Sequence, residues 1–303
     1  MRAFALAAIA ATLLQPVALR PQTPTDIYLF PMTSGLTSLA AAAPQPVATA
    51  PGYENQPFFD PDGQRVLFTA NRDGRQTDVY EFDRRTRATR QLTRTGDGEY
   101  SPTIPHVRPA AAHLARDGFT AIRQEADGTQ RLWQFDREGG RPVLVFTDIK
   151  PVGYHTWIDP DRLALYVLGT PATLQLARVS TGTAEVVAKD IGRTLRLVPG
   201  TALVSFVQAE GNGVYSVRTL DPGTRGIETL TRTVAGSMDR DYAWMPDGQT
   251  LLMTAGTKVF AWTRPASAWR EVLDVGRHGL GAASRLAVSP AADALVVVTE
   301  ERR

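Results

Sequence analysis

Three aspartates and two Asp-Gly pairs surround one apolar run in DPDGQRVLFTANRDG, residues 60–74. Carboxylates at alternate positions ahead of a glycine resemble the start of a calcium loop, which needs several oxygen ligands and a sharp turn. The same Asp-Gly pairs are favoured in tight turns between strands, because Gly accepts φ > 0 and Asp hydrogen-bonds the nearby backbone. Related segments elsewhere in the chain must decide between the two interpretations.

The common catalytic motifs are missing from this sequence. It contains no Gly-x-Ser-x-Gly, no His-Glu-x-x-His and no phosphate-binding Gly-Lys loop. It has no cysteine, which excludes disulfides, thiolate nucleophiles and Cys metal sites. We therefore assign no catalytic residue, metal ligand or cofactor from motifs, and any site must be assembled by the fold.

Composition sets broad limits on the fold and on the partners. Of 303 residues, 43% are hydrophobic, so the chain is able to bury a large core. Thirty-three basic and 31 acidic residues give a net charge of +2. This balance argues against a nucleic-acid partner, which would require a basic surface.

The N-terminus predicts export. MRAFALAAIAATLL has one positive charge followed by an apolar run that is too short to span a bilayer, as in a secretory signal peptide. The alternative is an apolar first helix of the domain. We predict a signal peptide at 1–20, without fixing its cleavage position, and a single domain at 21–303. The mature protein is then periplasmic or secreted, with no transmembrane segment.

A repeat runs through the chain. Its best copies combine an aromatic residue, a Pro-containing turn and an apolar strand: NQPFFDPDGQRVLFTA (55–70), YHTWIDPDRLALYVLG (154–169), DYAWMPDGQTLLMTAG (241–256) and SRLAVSPAADALVVVT (284–299). Aligned prolines recur every 39 to 55 residues, at Pro61, Pro105, Pro160, Pro199, Pro246 and Pro290. This spacing is typical of propeller blades of four strands each.

The repeat favours turns over a calcium loop, because the carboxylates change between copies: Asp60 corresponds to Met245 and to Ser289. The last unit stops after two strands, whereas TDIYLFPM (25–32) and GLTSLAAAA (35–43) lie unassigned at the start. We predict that these N-terminal strands complete the last blade and close the ring, which removes exposed sheet edges. The predicted fold is all-β, a six-bladed β-propeller of four-stranded blades.

QPFFDPDGQRVLFTANRDGRQTDVYEFDRRT, followed by RQLT, resembles the repeat of the TolB-like (WD-repeat-like) propellers. The matching positions are Asp78-Val79-Tyr80, Leu92-Thr93 and Leu230-Thr231. The resemblance covers the mature chain and implies a propeller fold. The sequence departs from TolB in having no segment between residues 20 and 55 that fits its α/β domain, and from the peptidases in having no hydrolase domain after the propeller, so we expect an isolated propeller. Function stays open, since the repeat occurs in Tol-system proteins, in prolyl-oligopeptidase-like enzymes and in uncharacterised secreted proteins.

Propeller topology concentrates polar residues in one place. The loops that enter the innermost strands open onto one face, around the central channel, and polar groups that converge there suit recognition of a small ligand or a peptide. Ten residues occupy these entries: Glu54, Asn55, Glu99, Tyr100, Tyr154, His155, Arg193, Asp241, Tyr242 and Arg285. The alternative is that they only form salt bridges that plug the channel.

Two functions follow from this arrangement. We favour a non-enzymatic binding or scaffold protein, as the resemblance implies: a monomer that recognises a protein, peptide or envelope ligand at the channel mouth. The alternative is a metal-dependent hydrolase or lyase, similar to the six-bladed lactonases. In that alternative Glu54, Glu99 and Asp241 hold a divalent cation and His155 acts as base, which requires the carboxylates to converge on one ion.

Overall fold

The computed structural model describes residues 22–72, 74–238 and 240–302. Regular structure in these ranges is β-strand, apart from short 3-10 turns at Leu39–Ala41 and Val275–His278. The strands are β1 (Thr25–Pro31), β2 (Thr33–Leu36), β3 (Gln45–Ala48), β4 (Tyr53–Phe59), β5 (Arg65–Asn71), β6 (Asp78–Asp83), β7 (Thr89–Gln91), β8 (Gly98–Thr103), β9 (Phe119–Gln124), β10 (Gln130–Phe135), β11 (Val143–Leu144), β12 (Val152–Trp157), β13 (Arg162–Val167), β14 (Thr173–Arg178), β15 (Thr183–Lys189), β16 (Ile191–Leu197), β17 (Val204–Gly211), β18 (Val214–Leu220), β19 (Ile227–Arg232), β20 (Tyr242–Trp244), β21 (Thr250–Ala255), β22 (Lys258–Thr263), β23 (Arg270–Asp274), β24 (Ala283–Val288) and β25 (Ala294–Glu300).

In this part of the chain every strand except β2 belongs either to one of four four-stranded sheets or to one eight-stranded sheet. The smaller sheets are β8–β11, β12–β15, β16–β19 and β20–β23, each with sequential strands as neighbours. The predicted propeller arrangement of four-stranded sheets is confirmed. The predicted signal peptide, residues 1–20, lies outside the described residues, and within them no helix is long and apolar enough to cross a membrane.

The eight-stranded sheet has two halves, β24-β25-β1-β3 and β4-β5-β6-β7. One parallel pair, Thr25 with Tyr53, links them. Side chains of both halves share a buried cluster that includes Ile27 and Val296 from one half and Phe68 from the other. Similar clusters lie between the other successive sheets. Each half is thus a group of four strands, like each of the smaller sheets.

The N-terminal strand closes the ring as predicted. β1 pairs antiparallel with the C-terminal β25 along its whole length, from Thr25 with Glu300 to Pro31 with Ala294. The predicted position of the next strand, 35–43, is wrong, because β3 (Gln45–Ala48) pairs with β1 instead. Leu36 and Leu39 are three residues apart, a spacing that suits a helical turn, and Leu39 is fully buried in a 3-10 turn.

The Pro-Asp-Gly segments are turns between strands. In the first, the Gly63 amide donates to the Asp60 carbonyl at 2.8 Å, and Asp62 Oδ1 accepts from the Gln64 amide at 2.8 Å. In the turn between β20 and β21, Asp247 Oδ1 accepts from the Gln249 amide in the same way. The turn interpretation is therefore confirmed at both positions, whereas Asp73 lies outside the described residues.

Candidate functional site

The first strands of the four smaller sheets, together with β4 and β24 of the eight-stranded sheet, line a central channel. Its narrow part, which we call the channel cavity, measures about 40 Å³. Every sheet contributes to its lining, which includes Gln56, Ser101, His155, Arg196, Asp241 and Arg285. A water molecule needs about 10–15 Å³ of such volume. The cavity therefore has room for a few water molecules or one small polar group.

A larger cavity of about 360 Å³ adjoins the channel on the side where the innermost strands begin. Four tyrosines line it, Tyr53, Tyr100, Tyr154 and Tyr166, together with four glutamines and Arg193. We call it the tyrosine mouth. Three residues line both the mouth and the channel cavity: Gln56, Tyr154 and Arg193.

The opposite end of the channel has a different chemistry. A cavity of about 410 Å³ there is mainly apolar and includes the repeat prolines Pro61, Pro199 and Pro290. Phe58 and Arg196 line both this cavity and the channel cavity. The channel therefore joins a polar, aromatic mouth to an apolar one.

β-bulges orient the side chains that face the channel. The pairing of β4 with β5 shifts register between Asn55 and Phe58, and that of β8 with β9 shifts between Tyr100 and Thr103. Gln56 and Ser101, inside these bulges, have φ of 57° and 52°. The Ser101 amide donates to Gln56 Oε1 at 2.7 Å. Such bulges re-aim side chains, and they often occur beside binding sites.

Arg285 and Tyr154 face each other across the channel. An Arg285 Nη donates to the Tyr154 hydroxyl at 3.0 Å, and the guanidinium carbon lies 5.4 Å from the ring centre. Burial favours a raised Tyr154 pKa, but the charges of Arg285 and Arg193 and this hydrogen bond outweigh burial and lower it. Arg285 itself is nine-tenths buried and stays charged.

Asp241 lies in the same cavity, held by its neighbours. Its Oδ1 accepts from the Thr194 hydroxyl at 2.8 Å, and its Oδ2 accepts from the Leu286 amide at 3.1 Å. Arg196 approaches to 3.6 Å. The carboxylate thereby ties β16 and β24 together.

His155 is neutral around pH 7, because burial lowers its pKa to about 3. Its Nε2 lies 2.7 Å from the Thr120 hydroxyl, which also accepts from the Trp157 indole at 3.2 Å. Its buried Nδ1 has no hydrogen-bond partner among the described residues. A neutral imidazole with this pKa is a hydrogen-bonding group rather than a base of useful strength at neutral pH.

Two predicted carboxylates are fully buried beside their own partners. Burial raises the pKa of Glu54 to about 7, against the opposing effect of Arg72, which binds Glu54 Oε1 at 2.8 Å. Burial likewise raises the pKa of Glu99 to about 7, against a hydrogen bond of 2.5 Å from the Thr95 hydroxyl. Burial thus favours the protonated form of both groups.

The ten predicted residues therefore separate into three sets. The channel cavity is lined by Tyr154, His155, Arg193, Asp241 and Arg285. Tyr100 lines the tyrosine mouth with Tyr154 and Arg193. The other four are buried and line neither cavity: Glu54, Asn55, Glu99 and Tyr242. Side chains alternate along a strand, so usually only one of two adjacent residues faces the channel.

Several lining residues were not predicted from the sequence. Tyr53 precedes Glu54 by one position, so the alternation of β4 was the missing signal. Gln56 is exposed to the channel by a bulge, which the sequence does not mark. Tyr166 belongs to the second strand of its sheet, β13, and contacts Tyr154 edge-on with ring centres 5.8 Å apart.

The geometry does not assemble the metal site of the enzymatic alternative. Glu54, Glu99 and Asp241 are each held by different partners, as described above. Across residues 22–72, 74–238 and 240–302, no three His, Asp or Glu side chains are grouped so that they could hold a metal ion.

Comparison with known proteins identifies the fold. No protein-family model and no curated protein matches this sequence. A putative TolB from Agrobacterium tumefaciens matches with a TM-score of 0.71 and 13% sequence identity, over 93% of this chain and 100% of that chain. TolB from Acinetobacter baumannii matches with a TM-score of 0.56 and 12% identity, over 92% of this chain and 64% of that chain.

An enzyme shares the architecture too. An oligogalacturonate lyase in complex with manganese matches with a TM-score of 0.55 and 13% identity, over 86% of this chain and 80% of that chain. Identities this low establish the fold alone, and one fold carries many functions. The chain therefore has a TolB-like propeller fold, and its function has to be argued from its own channel.

Proposed function

We propose that this protein is an exported, non-enzymatic binding module that recognises a peptide or protein segment at the tyrosine mouth. The observation that carries the proposal is the mouth itself, a cavity of about 360 Å³ with four tyrosines, four glutamines and an arginine. Tyrosines provide large contact area at low conformational cost, and glutamine amides both donate to and accept from peptide groups.

The mouth is pre-organised, which favours binding. Tyr53, Tyr100, Tyr154 and Tyr166 belong to the strands β4, β8, β12 and β13 rather than to loops. Residues on a rigid sheet lose little freedom when a ligand arrives, so more of the contact energy appears as affinity. The channel cavity of about 40 Å³ stops a ligand from threading further, so only its tip enters.

Two further parts of the proposal, export and a role in the cell envelope, rest on the N-terminal sequence and on the similarity to TolB structures. Export is supported by the signal-like start of the chain, and the match to TolB structures is consistent with a role in the cell envelope. The metal-dependent enzyme is the weaker alternative, because its three carboxylates are separately bound. We therefore do not assign Glu54 and Glu99 to a ligand site.

An arrayed library of random peptides, attached through their N-termini, tests the proposal. We expect the protein to select a reproducible set of peptides, which Tyr100→Ala and Tyr166→Ala fail to bind. Tyr215→Ala on β18 is the matched control and should select the same set. Absence of selection, or selection that ignores the mouth variants, would refute the proposal.

A further inference from the structure

We infer that the channel cavity is a carboxylate-binding site whose principal contact is Arg285. The inference rests on the proposed function only for the source of the carboxylate, which is a peptide's C-terminus or an Asp or Glu side chain at its tip. The site itself follows from the charges and the shape of the cavity.

Arg285 is a buried cation whose hydrogen-bonding capacity is mostly unused. A guanidinium has five N–H donors, and one hydrogen bond, to the Tyr154 hydroxyl, is found for Arg285 in the described chain, beside the contact of its guanidinium with the Tyr154 ring. No ion pair joins Arg285 to a carboxylate of these residues. Burial works to lower the pKa of Arg285, whereas Tyr154 and, from a greater distance, the Asp241 charge raise it. Buried charges are stable when paired, so the chemistry that matches this position is an anion.

Asp241 cannot move to Arg285 without losses elsewhere. Both of its oxygens already accept hydrogen bonds, one from Thr194 and one from the backbone of Leu286. Arg196, its nearest cation, lies on the side of β16. The acid therefore stabilises the wall of the cavity and leaves the guanidinium available to a ligand.

His155 supplies a second, independent indication. It is 94% buried, since its exposed fraction is 6%, and it lines the same cavity with an Nδ1 that has no partner in the described chain. The Thr120 hydroxyl has one hydrogen and two acceptors within reach, His155 Nε2 at 2.7 Å and the Thr103 carbonyl at 3.2 Å. In the tautomer in which this hydroxyl donates to Nε2, the shorter contact, Nδ1 carries the hydrogen and is a donor. Guanidinium and imidazole donors around one small cavity suit the oxygens of a single carboxylate.

The shape of the channel agrees with this chemistry. The cavity has room for one small group, and Tyr154 and Arg193 connect it to the wider tyrosine mouth. A ligand would place its carboxylate in the cavity and the rest of its chain against the tyrosines. Bidentate pairing with arginine gives direction as well as strength to such a contact.

Titration with ¹³C-formate, observed by NMR, tests the site without any peptide. We expect saturable binding to the wild type, weakened about tenfold or more in Arg285→Gln, as for loss of a charge-assisted hydrogen bond. Arg285→Lys should bind formate with intermediate affinity. Arg178→Gln is the control: Arg178 lies on β14, away from the channel, so this variant should bind formate like the wild type. Thermal melting of each variant checks that it folds.

Non-saturable formate binding, or equal binding by folded Arg285→Gln, would overturn the inference. A second arm distinguishes the carboxylate sources, by comparing array-selected peptides with free and amidated C-termini and with Asp or Glu replaced by Asn or Gln. If formate binds but no peptide is selected, the carboxylate site stands and the proposed peptide-binding function fails.

Discussion

Arg285 on β24 and Tyr154 on β12 join opposite sides of the channel through a hydrogen bond of 3.0 Å, although 131 positions separate them in the sequence. The contact places a permanent positive charge against a phenol at the junction of the channel cavity and the tyrosine mouth. Arg285 therefore acts directly on the ionisation of Tyr154, because its charge and its hydrogen bond lower the pKa of the phenol against the effect of burial.

We expect Arg285→Gln to raise the pKa of Tyr154, because the charge and the hydrogen bond that favour the phenolate are lost while burial remains. Ultraviolet difference titration, with Tyr154→Phe to identify the signal, measures the change. Arg178→Gln should leave the signal in place. An unchanged Tyr154 titration in Arg285→Gln would show that the contact is not maintained in solution.

Glu99 should make stability depend on pH. The ordinary pKa of a glutamate is 4.5, and burial raises that of Glu99 to about 7 in the fold, so the unfolded chain releases the proton first. Stability from this group is full below about pH 4.5 and falls as pH rises toward 7, by on the order of 3 kcal/mol at most. Relative to wild type, Glu99→Gln should gain stability across that interval.

Urea unfolding at several pH values measures this difference. Glu228→Gln, an exposed substitution of the same type, should follow the wild-type pH profile. If Glu99→Gln also runs parallel to the wild type between pH 4.5 and 7, the buried carboxyl does not titrate as described.

Ser205→Ala should destabilise the contact between sheet β16–β19 and sheet β20–β23. Ser205 Oγ accepts from the Tyr242 hydroxyl and from the Trp244 indole, both at 2.8 Å, and the substitution leaves two buried donors unpaired. We expect a loss of about 2–4 kcal/mol in the free energy of unfolding. Thr69→Val is the control, because this buried hydroxyl has no partner in the described chain; an equal loss in both variants would contradict the account.

Gly248→Ala should be more destabilising than Gly256→Ala. Both glycines have positive φ, 64° and 58°, so both substitutions carry backbone strain of about 1 kcal/mol. A Cβ at position 248 would also lie 2.6 Å from the Pro199 carbonyl oxygen, whereas position 256 has open space. Thermal unfolding compares the two, and equal melting temperatures would show that the turn does not pack on its neighbour.

The repeat made the fold predictable because its turns and strands are local. Pro-Asp-Gly turns, alternating apolar strands and the likeness of 25–32 to 77–83 were enough for the propeller and for closure by β1. The strand after β1 was misplaced, since the sequence does not show that Leu39 turns inward or that Pro46 fits an edge strand.

The site was only partly predictable. Propeller topology indicates which strands reach the channel mouth, but it does not indicate which of two adjacent side chains on such a strand faces the channel. Glu54 follows Tyr53, and Glu99 precedes Tyr100. Side chains alternate along a strand, so the tyrosines face the mouth and the two acids are buried. The bulges that expose Gln56 and Ser101 depend on sheet pairing, which has no local signal. Tyr166 reaches the mouth from a second strand, a contact that depends on how the sheets pack.

Calorimetric titration of the tightest array-selected peptide tests the central claim, that this propeller binds a ligand at its tyrosine mouth. We predict a single-site isotherm for the wild type and for Tyr215→Ala, and affinity lower by about tenfold or more for Tyr100→Ala and Tyr166→Ala, as expected when an aromatic anchor is truncated. Equal affinity in all four proteins would place binding elsewhere and contradict the claim.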